Sequence, residues 1–227
     1  MTFQIALAAK DGFLIASDRK GIAGGCPTGT GRTLMRHTSE MRKILISRSG
    51  NLVFAFSGSQ IAADIAKRLA DSADNSVGDV SAYLQSKSAE FHKSYDEEVR
   101  PHGPVIIVGV RNVSGDVPKL LEVSFYGQPI LRPSHSRIVG GDAGNSAVFF
   151  VERYQGNWQE RSVEELKLLA THTVLEGHSL NQTSVDGLDI LLAVDGQEPR
   201  FMEESEKRDL ESRSADIHKQ LRNLLGL

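Results

Sequence analysis

Residues 3–19 read FQIALAAKDGFLIASDR, and the fold turns on how this stretch is read. Phe3, Ile5, Leu7 and Ala9 alternate with smaller or polar residues, Asp11-Gly12 supplies a turn, and Phe13 to Ser17 is apolar again. That pattern is a β-hairpin at the head of the chain. A second hairpin follows, with Lys43 to Arg48 and Leu52 to Phe56 flanking Ser49-Gly50-Asn51. Between the two, Gly21 to Thr38 is rich in Gly, Thr and basic residues and reads as a loop or an irregular hairpin.

Further on, helical spacing takes over. Ile61, Ile65 and Leu69 form one ridge; Val80, Leu84, Phe91, Tyr95 and Val99 form a second after a cap at Ser76, closed by Pro101, Gly103 and Pro104. Val105 to Val110, Leu120 to Tyr126 and Arg137 to Val139 read as strands, the first apolar throughout and therefore central. Ser146 to Tyr154 has helical character. Ser162 with Glu165 makes a capping box for a helix over Val163, Leu166, Leu169, Ala170 and Val174, with Gly177 as its stop. Leu188 to Val194 is another buried strand, and the charged segment Glu203 to Leu227 carries Leu210, Ile217, Leu221 and Leu224 at helical spacing. Strands and helices come in groups, which favours a layered α+β architecture over a parallel βαβ fold. We expect residues 1–227 to form one domain, with 203–227 as its C-terminal helical extension.

Composition narrows the function. A net charge of -3 with dispersed acidic residues lacks the basic excess that binds nucleic acid. A single cysteine, Cys26, leaves no internal disulfide, redox pair or paired-cysteine metal site and fits the cytoplasm. The apolar run Phe3 to Ala9 is too short for a membrane span and lacks the basic flank of a signal peptide. Gly24, Gly25, Gly29 and Gly31 are not followed by the Gly-Lys-Ser/Thr ending of a phosphate loop, and His172 and His178 do not share a helix face as zinc ligands would. No cofactor is called for.

The chemistry gathers at the N-terminus. Removal of Met1 exposes Thr2, whose hydroxyl and free amine then share one residue, and a neutral α-amine with a pKa of roughly 7.7 to 8.0 takes up the hydroxyl proton. A small second residue is common, so Thr2 alone says little. Lys43 and Asp18 end or begin strands of the two hairpins, which we expect to flank Thr2 in a shared sheet. There a lysine ammonium favours the neutral amine and a developing alkoxide, and Asp18 holds the ammonium. From spacing alone, a surface ion pair at strand ends accounts for both residues as well.

Up to about Gly196 the sequence resembles the proteasome β-type N-terminal threonine hydrolases, in an ordered series of matches. Thr2 matches the nucleophile, Ala16-Ser17-Asp18-Arg19 the end of the first hairpin with its acid at Asp18, and Arg42-Lys43-Ile44-Leu45-Ile46 the lysine strand. Phe56-Ser57-Gly58-Ser59 matches the loop whose backbone N–H, at Gly58, serves as oxyanion donor, with Phe56 placed to line the substrate pocket or the core. Val139-Gly140-Gly141-Asp142 is similar to the family's glycine-rich turn, with Asp142 where a serine is usual. Asn181-Gln182-Thr183-Ser184 is similar to a second supporting cluster; Ser184 matches and Asn181 replaces an aspartate. The long Gly21–Thr38 stretch and the charged C-terminal helix are closer to the Anbu-type and betaproteobacterial offshoots.

The resemblance implies a four-layer αββα sandwich of the N-terminal nucleophile hydrolase type. It also implies a cytoplasmic homo-oligomeric ring and a threonine-type endopeptidase acting on peptide or unfolded protein, with no cofactor, nucleic acid or membrane and with any ATPase unfoldase unspecified. The alternatives are a non-catalytic ring or scaffold subunit of the same fold, and an amidase or peptide ligase using the same nucleophile.

Overall fold

In the computed structural model, the described residues are 2–23, 37–58, 60–72, 76–94, 105–113, 118–125, 130–141, 144–157, 159–181 and 185–225. In chain order they form β1 (Phe3–Ala9), β2 (Gly12–Ser17), β3 (Lys20–Ala23), β4 (His37–Glu40), β5 (Ile44–Ile46) and β6 (Leu52–Ser57). Helices α1 (Gln60–Asp71) and α2 (Val77–Ser94) follow, then β7 (Val105–Val110), β8 (Leu120–Ser124), β9 (Ile130–Ser134) and β10 (Arg137–Gly141). The chain ends with α3 (Val148–Tyr154), α4 (Val163–Leu180), β11 (Asp189–Val194), β12 (Arg200–Phe201) and α5 (Glu204–Leu225).

Both hairpins form as read, but they part company. β1 and β2 lie in one five-stranded antiparallel sheet, ordered β10-β1-β2-β11-β12, whereas β5 and β6 open a second, ordered β5-β6-β7-β8-β9. The shared sheet expected around Thr2 is therefore replaced by a junction between two sheets. Hairpin pairing is local and does not specify which sheet a hairpin joins. That is fixed by β10, which returns to pair with β1 from Phe3↔Gly141 to Leu7↔Arg137, and by β7, which covers β6. The stretch from Gly21 to Thr38, read as a loop or an irregular hairpin, begins and ends in a small hairpin, β3 against β4, with residues 24–36 outside the described residues.

Three apolar clusters hold these elements together. One, with Ala6, Phe13, Ile15, Val53, Ile107 and Ala193, fills the space between the sheets. Gly109 in β7 makes room there for the ring of Phe13, because a Cβ at this position would come within 2.3 Å of it. A second cluster joins Phe54, Phe56, Ile106 and Val108 to Ile65, Leu69 and Leu84 of α1 and α2. The third joins Phe3, Ile5, Leu14 and Ile190 to Val151, Leu166, Ala170, Val174 and Leu210 of α3, α4 and α5. Every residue of β1 and β2 is buried, as strands covered on both faces must be.

Local signals place the helix starts. Ser162 Oγ accepts the Glu165 amide at 3.2 Å while the Ser162 amide donates to Glu165 at 2.7 Å, the reciprocal box expected from the sequence. Ser76 and Asp79 make the equivalent exchange ahead of α2. Gly177 does not stop α4, which runs on to Leu180 and caps at Asn181. The glycine is there for space: a Cβ would come within 2.7 Å of the Phe3 ring. Strand β9 was not expected, since Pro133 interrupts its pattern; it lies at a sheet edge, where a missing N–H is tolerated. Among the described residues no helix is long and apolar enough to cross a membrane.

Candidate active site

Thr2 heads β1 and is buried. The next residue, Phe3, donates its amide to Asp18 Oδ1 at 2.8 Å, and Lys43 Nζ donates to Asp18 Oδ2 at 2.7 Å. The Lys20 amide adds a third bond to Oδ2 at 3.1 Å. Asp18 follows β2 in the first sheet and Lys43 precedes β5 in the second, so the ion pair crosses the sheet junction beside the head of β1. The surface-pair reading of these two residues does not hold, because the side chains of Lys43 and Asp18 are 3% and 0% exposed. Burial raises Asp18 above the usual carboxylate range, opposed by Lys43, and burial lowers Lys43, opposed by Asp18.

Two further contacts lock the head of β1. Gly141, the end of β10, has φ of 79° and lies against Thr2 so closely that a Cβ would come within 1.9 Å of the Thr2 carbonyl oxygen. Gly140 and Gly141 therefore belong to a strand end paired with Gln4 and Phe3, not to a turn leading directly into a helix. Gln4, wholly buried, donates Nε2 to the Phe56 carbonyl at 2.6 Å and ties β1 to β6 across the junction. Sequence reasoning missed Gln4, although its signal is legible: it is the one strongly polar residue in an otherwise apolar β1.

Gly58 follows β6 with φ of 100° and is exposed. The side chain of Phe56 is buried in the cluster beneath α1, the core position that was one of its two readings. Asn181 caps α4, donating its amide to the Gly177 and His178 carbonyls at 3.1 and 3.2 Å. That is one helical turn beyond the glycine packed on Phe3. Asp142 and Ser184 lie outside the described residues. Among the described residues no group of three or more metal-ligating side chains is gathered.

The same architecture recurs in solved structures. Anbu (ancestral beta-subunit) from Yersinia bercovieri superimposes with a TM-score of 0.70 at 14% identity, over 99% of this chain and 96% of that one. The helical assembly of the Anbu complex from Pseudomonas aeruginosa matches with a TM-score of 0.69 at 17% identity, over 97% of this chain and 96% of that one. Anbu from Hyphomicrobium sp. strain MC1 gives 0.67 at 14% identity, over 97% of each chain. The fold is that of Anbu. No protein-family model and no curated protein matches the sequence. The Anbu fold is proteasome-like, and at this level of identity the likeness speaks for a proteasome-like fold alone.

Proposed function

We propose that this chain is a proteasome-like threonine peptidase in which Thr2, its α-amine freed by removal of the preceding residue, is the nucleophile. One observation carries the reading: in an Anbu fold, the Asp18 carboxylate joins Lys43 Nζ to the amide immediately after Thr2. The chain is taken as one domain, layered as a four-layer αββα sandwich, and as a homo-oligomer in the manner of the Pseudomonas aeruginosa assembly.

In this mechanism Thr2 Oγ attacks a peptide carbonyl carbon and its proton passes to the α-amine. Collapse of the tetrahedral species breaks the C–N bond. The proton moves from the amine to the leaving nitrogen, and an ester to Thr2 remains. Water, deprotonated by the same amine, cleaves that ester and restores the hydroxyl. The Gly58 N–H faces the developing oxyanion. Lys43 supplies positive charge that keeps the amine neutral and favours the alkoxide, and Asp18 opposes the loss of the lysine proton that burial promotes.

The test is intact mass after treatment with a threonine-directed peptide epoxyketone. Protein beginning at Thr2 forms a covalent adduct, Thr2→Ser retains adduct formation, and Thr2→Ala or a blocked amine loses it. A chain with a free Thr2 amine that forms no adduct and cleaves no peptide overturns the reading.

A further inference from the structure

The large apolar side chains exposed among the described residues, Phe149, Tyr154, Leu180, Leu221 and Leu224, all belong to one helical layer, that of α3, α4 and α5. On α5 the positions Leu210, Ser214, Ile217, Leu221 and Leu224 recur at alternating steps of four and three, the spacing of a helix packed along another helix. The first two are buried against α4: Leu210 joins the cluster with Leu166 and Val174, and Ser214 Oγ pairs with His172 Nδ1 at 2.8 Å. The stripe then outruns its cover. From 215 to 224 every residue except Ile217 is exposed, Leu224 to 84%. A contiguous apolar surface of this kind marks an interaction site.

The same layer holds a receptor for such a stripe. A groove of about 390 Å³ runs between the helices, walled by Phe150 and Tyr154 of α3, Leu168 and Leu169 of α4, and Ile217 and Leu221 of α5. Phe149 extends the aromatic wall, its ring edge-on to Phe150 at 6.2 Å. One face thus carries both a protruding apolar tail and an apolar groove, which a two-fold axis between copies brings together twice. Charge selects the same partner and its direction. α4 and α5 run parallel, with Lys167 near Glu206 toward their heads and Glu176 near His218 toward their tails. Along α5, residues 203–211 hold five acids and two bases, whereas residues 213–224 hold three bases and one acid. An antiparallel copy lays each basic tail toward the other's acidic head, and a parallel one sets like charge on like.

We infer that a second copy of this chain covers this face, the tail of each α5 lying antiparallel in the groove of the other with Leu224 against Tyr154. The inference rests on the homo-oligomer proposed above and supplies its contact; the chemistry at Thr2 does not enter it.

Sedimentation equilibrium at micromolar concentration tests it. Leu224→Glu is expected to lower the mass of the assembly to about half that of wild type, and Tyr154→Lys to do the same. Both positions are exposed in the single chain, so each variant keeps its fold, which circular dichroism checks. An equal mixture of the two variants is expected to recover the wild-type mass: in one contact the new carboxylate meets the new ammonium, and in the other the native tail meets the native groove. A wild type that sediments as a single chain overturns both the inference and the proposed homo-oligomer. An oligomeric wild type whose mass Leu224→Glu leaves unchanged overturns the inference alone, as does a halved mass that the mixture does not restore, which assigns the tail to a different partner.

Discussion

Lys43 Nζ meets Asp18 Oδ2 at 2.7 Å in a fully enclosed ion pair whose two members descend from different sheets. Removing one member leaves the other charged and buried, so Lys43→Met is expected to cost about 3–5 kcal/mol of stability and to abolish peptide cleavage. Asp18→Asn is milder, since an amide oxygen still accepts the Phe3 N–H. The double variant Asp18→Asn/Lys43→Met is expected to recover the loss, or to gain about 1–4 kcal/mol over wild type, while staying inactive. Denaturant melts of the three variants beside a peptidase assay test this; a double variant less stable than Lys43→Met alone contradicts it.

Two glycines with similar backbone conformations make a controlled comparison. Gly196 has φ of 76° and open space where a Cβ would stand, with nothing within 4 Å, so Gly196→Ala incurs only the left-handed backbone penalty of about 1–2 kcal/mol. Gly141, at 79°, would place that Cβ against the Thr2 backbone. Gly141→Ala is expected to be several-fold more destabilising and to lose epoxyketone labelling, whereas Gly196→Ala keeps it. Equal melting temperatures for the two variants would remove the packing argument at Thr2.

Gln4 supports a third prediction. Gln4→Leu leaves the Phe56 carbonyl without the Gln4 Nε2 donor, at about 1–3 kcal/mol, partly offset because the orphaned Gln4 Oε1 disappears with it. Turnover is expected to fall more than stability, since the bond links the strand that follows the proposed nucleophile Thr2 to the strand preceding Gly58. Comparing kcat with the unfolding midpoint checks this.

At the α4–α5 contact, His172 is buried against Phe150 and pairs through Nδ1 with Ser214 Oγ at 2.8 Å, with Glu176 and His218 beside it. Burial lowers its pKa below the ordinary 6.5, with Glu176 opposing and His218 adding to the shift. The unfolded chain therefore binds the proton more readily, so stability is unpenalised above pH 6.5 and falls as pH drops from there toward the folded value. His172→Gln is expected to flatten that part of the profile. Thermal melts between about pH 5 and 8 measure it.

Much of this fold was legible because its elements carry local signals. The Asp11-Gly12 turn, the Ser162/Glu165 box and the unbroken apolar run at β7 are each written within a few residues. What escaped has non-local causes. Gly177 looks like a helix stop until Phe3, far away in the sequence, is found against it. The pairing of Asp18 with Lys43 was legible as charge at strand ends, but not its burial, which depends on two sheets closing over it. The pairing of β11 with β2 gave no sequence signal at all, since nothing local brings the two strands together.

On the proposed peptidase reading, the crossing of sheets at Asp18 and Lys43 also bears on when reactivity arises during the life of the chain. Either hairpin can form while the polypeptide is still incomplete, yet neither contains both charges. The pair comes together only after the two halves have docked, and β1 gains its outer neighbour only when residues 137–141 have been made. A nascent or half-folded chain thus carries a threonine without its electrostatic surroundings, and assembly of the tertiary structure is itself the safeguard against premature chemistry.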